Sequence, residues 1–194
     1  MVRLGVTGGI GSGKSVVCRL LQMLGAPVYD SDSRAKWLMS NSVALQKRLQ
    51  ERFGDDIYEG GVLQRRVLAE RVFSDGEALA ALNAIVHPAV AEDFCEWSAE
   101  REAEGVEVVV LESAILLSSG FDIFVDRCVA VVAPEELRVA RAVARDGASE
   151  EQIRARIASQ MSQEEVADRC DYVIVNDENR LLWPQVLSLV TELR

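Results

Sequence analysis

Residues 8–15 decide the fold of this chain, and they read Gly8-Gly9-Ile10-Gly11-Ser12-Gly13-Lys14-Ser15. They fit the phosphate-loop (P-loop) pattern GxxxxGK[ST] at every fixed position, directly after the apolar segment 2–7. Glycines let backbone N–H groups approach phosphate oxygens, which a Cβ atom would obstruct. Lys14 would place a positive charge on the β and γ phosphates, and the Ser15 hydroxyl would ligate Mg²⁺. The pattern predicts a site for ATP with Mg²⁺, with these candidate nucleotide-binding residues: Gly9, Gly11, Ser12, Gly13, Lys14, Ser15 and Val16.

Outward from this loop, apolar runs alternate with helical patterns along the chain. Apolar and β-branched runs predict strands at 2–7, 26–30, 106–111, 128–132 and 171–175. Helical spacing predicts helices at 14–24, 33–53, 63–73, 77–104, 134–146, 149–161, 164–169 and 180–193. We expect a turn at Gly60-Gly61 and a break or kink at Pro88. Alternating strands and helices predict an α/β, P-loop NTPase fold, with a parallel β-sheet of about five strands flanked by helices.

We expect a single P-loop kinase domain with two excursions from its core. The core comprises about 1–32, 105–133 and 170–194. The stretch 33–104 is too long for one crossover, so we expect it to form a helical substrate-binding part. Residues 134–160 are expected to form a lid.

Composition narrows the classes of function. The chain has 194 residues and a net charge of −10, which argues against a nucleic-acid binder, since that class needs a basic face. No apolar run is long enough for a membrane span, so we expect a soluble, cytoplasmic protein, either a monomer or a weak homo-oligomer. The four cysteines lie far apart, and we expect buried, reduced thiols. We expect the three tryptophans to pack in the core or at the domain junction: Trp37, Trp97 and Trp183.

A P-loop alone does not separate a kinase from a GTPase or a mechanical ATPase. The NKxD and DxxG segments typical of GTPases are absent, whereas Asp30-Ser31-Asp32 ends the second predicted strand. Phosphoryl transfer to an alcohol needs a group that accepts the hydroxyl proton, and a carboxylate can do this. The alternative is that both aspartates are solvated and cap the next helix. We favour Asp32 as the base. Glu112, at the end of the third strand, is either an acid near the metal or a structural residue.

Three arginines, Arg138, Arg141 and Arg145, share one predicted helix face. Like charges on one face need acids or an anion to compensate them. Arg138 and Arg154 are interpreted as surface arginines paired with nearby glutamates. For Arg141 and Arg145 we favour a role at phosphate or adenine. Arg141 is also a candidate catalytic residue, together with Lys14 and Asp32.

The chain resembles the bacterial dephospho-coenzyme A kinases over nearly its whole length. Residues 5–15 are close to the family's GLTGGIGSGKS, and Asp30-Ser31-Asp32 stands at its DAD segment. Further segments match the family's other short motifs: Leu63-Gln64-Arg65-Arg66 its LxRR or LDR segment, 82–88 its LNxxxHP segment, 141–147 (here RAVARDG) and 156–160 (here RIASQ) its lid region, and Asp171-Tyr172-Val173-Ile174 with Asn176 its ADYVIxN strand. Jointly these motifs are far more specific than the P-loop.

The resemblance implies ATP and dephospho-coenzyme A as substrates, with no nucleic acid and no membrane. It implies that Asp32 activates the ribose 3′-hydroxyl, and that Arg141 and Asn176 lie near the adenine or phosphates of ATP. Arg65 and His87-Pro88 would border the dephospho-coenzyme A groove.

The chain departs from the family in three places. Residues 112–118 read ESAILLS where the family commonly has DxPLLFE, so the roles of its proline and last glutamate do not carry over. Val16 replaces a threonine, and Val175 replaces an aspartate before Asn176.

Two alternatives differ in class from this kinase. One is another small-molecule or nucleoside monophosphate kinase, and the other is a nucleotide-gated binding protein. Asp32 argues against a nucleotide-gated binding protein, because a switch needs no base beside the hydroxyl of an acceptor.

Overall fold

A computed structural model describes residues 1–73 and 75–194 of the chain. The described chain divides into two compact units, which we call the sheet unit (Met1–Asp30 and Trp97–Arg194) and the helical unit (Ser31–Glu96). The elements in chain order are β1 (Val2–Thr7), α1 (Lys14–Met23), β2 (Val28–Asp30), α2 (Ser31–Asn41), α3 (Val43–Phe53), β3 (Tyr58–Glu59), β4 (Val62–Leu63), α4 (Arg65–Phe73), α5 (Gly76–Ala103), β5 (Val108–Glu112), β6 (Arg127–Val132), α6 (Glu135–Asp146), α7 (Glu150–Ala158), α8 (Gln163–Arg169), β7 (Tyr172–Val175) and α9 (Leu182–Leu193).

The sheet unit is built on five parallel strands in the order β2-β5-β1-β6-β7. This confirms the predicted parallel sheet, and the observed element ends differ from the predicted ones by a few residues. The interior strand β5, between β2 and β1, is a β-branched run because both of its faces are covered, and its residues 108–111 are at most 3% exposed. Glu112 pairs in register with Val6 and with Asp30, so the ends of three strands meet at one edge.

One apolar cluster holds α1 and α9 on this sheet. It includes Leu4 and Ile174 from the strands, Leu21 from α1 and Val186 from α9. Complete burial of such a side chain contributes about 1.5–3 kcal/mol. This packing fixes the start of α1, and therefore the P-loop, at the carboxyl ends of the strands.

The helical unit contains α2 to α4, most of α5 and the β3–β4 hairpin. Its fully buried side chains are Leu45, Leu49, Ile57 and Phe94. Gly60 and Gly61 turn the chain with positive φ, as predicted, but the two-residue strands on either side were not predicted. Strands this short leave no alternating pattern in a sequence.

The prediction at Pro88 was a break or a kink, and the break is wrong, because α5 continues from Gly76 to Ala103. The kink stays a prediction. A proline within a helix removes one backbone hydrogen bond and costs about 3 kcal/mol. Val86, Val90 and Phe94 are buried on either side of it, and this packing stabilises the continuous helix.

The expectation of four buried, reduced thiols is correct only for Cys18. Cys128, at the start of β6, and Cys170, just before β7, form a disulfide, while Cys95 is exposed. Neighbouring strands bring together two cysteines 42 residues apart, a proximity that spacing alone does not show.

Trp37 and Trp183 do not pack in the core, since they are 50% and 43% exposed. Trp97 stacks at a tilt on Tyr29 inside the sheet unit. Across residues 1–73 and 75–194, no helix is both long and apolar enough to cross a membrane.

Candidate active site

The P-loop leaves β1 at Thr7 and enters α1 at Lys14. Gly13 takes the left-handed conformation directly before the helix, with φ 97°, which favours glycine. A Cβ atom on Gly13 would overlap Nδ2 of Asn176. That amide donates a hydrogen bond to the Ser12 carbonyl at 2.8 Å, so Asn176 holds the backbone of the loop in place.

Lys14 and Ser12 fit an anion in this loop. The Lys14 ammonium donates to the carbonyl oxygens of Gly8 at 2.7 Å and Gly9 at 3.3 Å, which holds its charge over the first half of the loop. The Ser12 hydroxyl is fully buried and has no hydrogen-bond partner in the described part of the chain. An unsatisfied buried hydroxyl costs about 1–3 kcal/mol, and a phosphate oxygen would satisfy it. The loop therefore has the charge and the donors that a triphosphate requires.

The residues beside the loop also fit Mg²⁺. Ser15 Oγ donates to Glu112 Oε1 at 2.9 Å, so a hydroxyl and a carboxylate stand together at the sheet edge. Among residues 1–73 and 75–194, no group of three or more His, Cys, Asp or Glu side chains forms a metal cage. Mg²⁺ in kinases is commonly held by one or two protein oxygens together with phosphates and water. This pair of donors suits that arrangement.

Cys18 adds a contact that sequence reasoning did not identify. Burial, and then the charge of Glu112, raises the pKa of the Cys18 thiol, which therefore stays protonated. The thiol hydrogen-bonds to Glu112, and its neighbours also include Lys14 and Asp30. Cys18 thus adds a second neighbour to the Glu112 carboxylate, beside Ser15.

The structure brings together two residues predicted at ATP, Arg141 and Asn176. Arg141 donates to the Asn176 carbonyl at 3.2 Å and to Glu178 Oε1 at 3.3 Å. Glu178 has a positive φ of 68°, which is uncommon for a residue with a side chain. Both residues lie in the sheet unit with the P-loop.

The other arginines of residues 134–160 are not all in the environments predicted for them. Arg154 forms ion pairs with Glu135, Glu136 and Glu150, which confirms it as a surface arginine. Arg145 pairs with its neighbour Asp146.

Arg138 was predicted to be a surface arginine, and this is wrong. It is only 5% exposed, and its Nε donates to the Ile10 carbonyl in the P-loop at 3.0 Å. Gln160, which also was not identified, accepts a hydrogen bond from the Ile10 amide at 2.9 Å. The one signal in the sequence was spacing, because Arg138 stands four residues before Ala142, on the buried face of α6.

The candidate acceptor-site residues all belong to the helical unit. Asp32 lies exposed in the first turn of α2, and Arg65 is the exposed first residue of α4. His87 and the exposed Pro88 lie on α5, and burial lowers the pKa of His87.

Comparisons with known proteins agree on one family. The sequence profile described as dephospho-CoA kinase matches residues 2–181. A dephospho-CoA kinase from Porphyromonas gingivalis is 47% identical, over 100% of this chain and 95% of its own length. A crystal structure from Thermus thermophilus is 38% identical, with a TM-score of 0.84, and covers 100% of this chain and 98% of its own.

A second solved structure, a dephospho-CoA kinase from Campylobacter jejuni, has the same fold. It is 24% identical, with a TM-score of 0.70, and covers 98% of this chain and 96% of its own. Because the profile spans nearly the whole chain and the Porphyromonas relative is almost half identical to it, the chain belongs to the dephospho-CoA kinase family.

Proposed function

We propose that this chain transfers the γ-phosphoryl group of ATP to the ribose 3′-hydroxyl of dephospho-coenzyme A, which gives coenzyme A in the last step of its synthesis. The family match over residues 2–181 carries this proposal. The P-loop supports the nucleotide half of the reaction, because Lys14 and the buried Ser12 hydroxyl are suited to a triphosphate.

In this mechanism the P-loop binds and orients the triphosphate. Lys14 exchanges the carbonyls of Gly8 and Gly9 for oxygens of the β and γ phosphates, so its charge opposes the charge that develops during transfer. Ser15 and Glu112 would hold Mg²⁺, which supplies further charge neutralisation between these phosphates. Arg141 and Asn176 contribute to the adenine or phosphate contacts of the same nucleotide.

Asp32 is the proposed proton acceptor. As the 3′-oxygen bonds to the γ phosphorus, the bond from that phosphorus to the β-γ bridging oxygen breaks, and ADP leaves with the electron pair. The proton of the 3′-hydroxyl passes to the Asp32 carboxylate. Asp32 lies exposed in the first turn of α2. Arg65, His87 and Pro88 border the acceptor groove in this proposal.

One assay tests the function directly. Purified protein is mixed with ATP, Mg²⁺ and dephospho-coenzyme A, and coenzyme A is followed by mass spectrometry. We expect one phosphoryl group to be added per acceptor molecule, and product digestion to place it on the 3′-oxygen. Omission of Mg²⁺ should abolish the reaction.

Two results would support the alternatives instead. Phosphorylation of free nucleoside monophosphates, with dephospho-coenzyme A left unchanged, would indicate a different small-molecule kinase. Binding of ATP with no transfer to any acceptor would indicate a nucleotide-gated binding protein.

A further inference from the structure

Ile10 is the point at which the P-loop contacts the segment after β6. Its carbonyl accepts a hydrogen bond from Arg138 Nε at 3.0 Å, and its amide donates to Gln160 Oε1 at 2.9 Å. The Ile10 side chain packs against a small core formed by Val139, Ala142 and Ile153. The backbone at this one residue is therefore held by α6 through Arg138 and by Gln160, which follows α7.

Arg138 places its guanidinium against the same loop. A Cβ atom on Gly9 would overlap its Nη2, and a Cβ atom on Gly11 would overlap its carbonyl oxygen, so both glycines allow this close approach. Lys14 reaches the carbonyl of Gly9 as well. Two cations thus converge on Gly9, and Lys14 is the cation that the motif assigns to the β and γ phosphates.

The charge of Arg138 is poorly compensated. The bond to Ile10 is the only hydrogen bond of its side chain within residues 1–73 and 75–194, and no carboxylate of that part of the chain forms an ion pair with it. Glu135 and Glu164 are near enough to favour its charge, but burial has the larger effect and lowers its pKa. The terminal nitrogens of Arg138 have no protein acceptor in that part of the chain, and a bidentate contact with phosphate suits such a guanidinium.

We infer that Arg138 is a phosphate-binding residue, whose terminal nitrogens contact the γ-phosphate of ATP and which, with Lys14, encloses the transferred group between two cations. This inference rests on the proposed function for its substrate. It assigns to Arg138 a contact made with ATP but not with ADP, because the leaving nucleotide retains only the α and β phosphates.

Two variants separate charge from hydrogen bonding at this position. Arg138→Lys keeps the charge, whereas Arg138→Gln keeps a donor for the Ile10 carbonyl and removes the charge. Calorimetry gives Kd for ADP and for a non-hydrolysable ATP analogue. For Arg138→Gln we expect Kd for the ATP analogue to rise about tenfold, as the loss of one charge-assisted contact implies. Kd for ADP should change by less than about twofold, because ADP has no γ-phosphate. Arg138→Lys should retain most of the preference for the triphosphate.

Turnover and a matched control complete the test. With dephospho-coenzyme A as acceptor, kcat of Arg138→Gln should fall by about 100-fold, since the charge of Arg138 stabilises the phosphoryl group in the transition state. Arg154→Gln, which removes an exposed arginine of α7 that pairs with glutamates, should leave the ratio of the two Kd values unchanged. Unfolding temperatures within a few degrees of the wild-type value would show that each variant is folded.

The outcomes distinguish this inference from the function on which it rests. Equal losses of affinity for both nucleotides in Arg138→Gln would give Arg138 only the structural role of fixing Ile10, and would overturn the inference. Wild-type Kd values for both nucleotides in Arg138→Gln would overturn it as well. If the wild-type protein fails to phosphorylate dephospho-coenzyme A while Arg138→Gln still loses the triphosphate selectively, the proposed function fails and the phosphate contact stands.

Discussion

Lys14 is the residue whose replacement tests the P-loop most directly. Its ammonium lies over the loop on the carbonyls of Gly8 and Gly9, where phosphate oxygens can replace them. The charge is worth more in the transition state than in the ground state, so Lys14→Ala should lower turnover at least 100-fold, roughly 3 kcal/mol. Steady-state kinetics with Mg-ATP and dephospho-coenzyme A measures this.

The matched control for this prediction is Lys47→Ala, which removes an exposed lysine that pairs with Glu51 on α3. Its turnover should stay at the wild-type value. Wild-type turnover in Lys14→Ala itself would contradict the role of the P-loop.

Asp32 and Asp30 differ in where they stand, and this difference makes the identity of the base testable. Asp30 ends β2 beside Glu112, whereas Asp32 lies exposed in the first turn of α2. Asp32→Asn preserves the size of the side chain but cannot accept a proton, so turnover should collapse while ATP affinity survives. Kinetics and calorimetry on Asp32→Asn and Asp30→Asn check this. If Asp30→Asn is the more damaging change to turnover, the assignment is reversed.

Individual site residues were predictable where a fixed motif names them. The P-loop pattern identified Lys14 and Ser15 because each position of GxxxxGK[ST] has its own task at the phosphates. Cys18, Gln160 and Arg138 belong to no such pattern. Their contacts join segments far apart in sequence, as those of Gln160 and Arg138 with Ile10 do.

At the scale of elements, α6 shows why an arginine face is ambiguous in sequence. Spacing correctly placed the arginines along one helix, but it did not show which turn of that helix would be covered. Arg138 lies inward with Val139 and Ala142, while Arg145 remains at the surface with Asp146. The packing of α7 and the P-loop against α6 decides this, and both contacts are tertiary.

The helices α6 and α7 have the construction expected of a lid. They share a small core of Val139, Ala142 and Ile153, and Gly147 ends α6 in the left-handed conformation. A lid that binds phosphates should close when ligand compensates its arginines, because the ligand favours the closed state. Closure would also exclude water, to which the phosphoryl group could otherwise transfer.

Hydrogen exchange with and without both substrates tests this lid. Amides of residues 134–160 should exchange more slowly at saturating ligand, and Arg141→Ala should weaken ATP use and lower turnover with the fold intact. The amides of β5 serve as the internal control, since that strand is buried in either state. Equal protection of 134–160 in the two samples would mean that the segment does not close.

At the scale of the whole molecule, the sequence predicted the order and type of the main elements. The five strands were recognisable because parallel strands covered on both faces are continuous β-branched runs, as in β5 and β6. The β3–β4 hairpin was too short to leave a pattern. The continuity of α5 through Pro88 and the Cys128–Cys170 bond depend on long-range packing, which local propensity does not encode.

The Cys128–Cys170 disulfide gives a prediction about global stability. The bond joins the amino ends of β6 and β7, and the chain between its two cysteines carries α6, α7 and α8. Cross-linking residues 42 apart restricts the unfolded chain, which the chain-entropy model values at about 4 kcal/mol. Reductant should therefore lower the unfolding temperature, as measured by calorimetry. The P-loop stands at the opposite, carboxyl edge of the sheet, so kcat of the folded enzyme should be unchanged.

The variant Cys128→Ser/Cys170→Ser isolates this bond from the thiols of Cys18 and Cys95. It should unfold near the temperature of the reduced wild-type protein and should not respond to reductant. A shift of the same size in this variant would show that the effect of reductant arises elsewhere. A fall in kcat of the reduced, folded wild-type protein would show that the cross-link also holds the α6–α8 segment in its active arrangement, and that the two edges of the sheet are coupled.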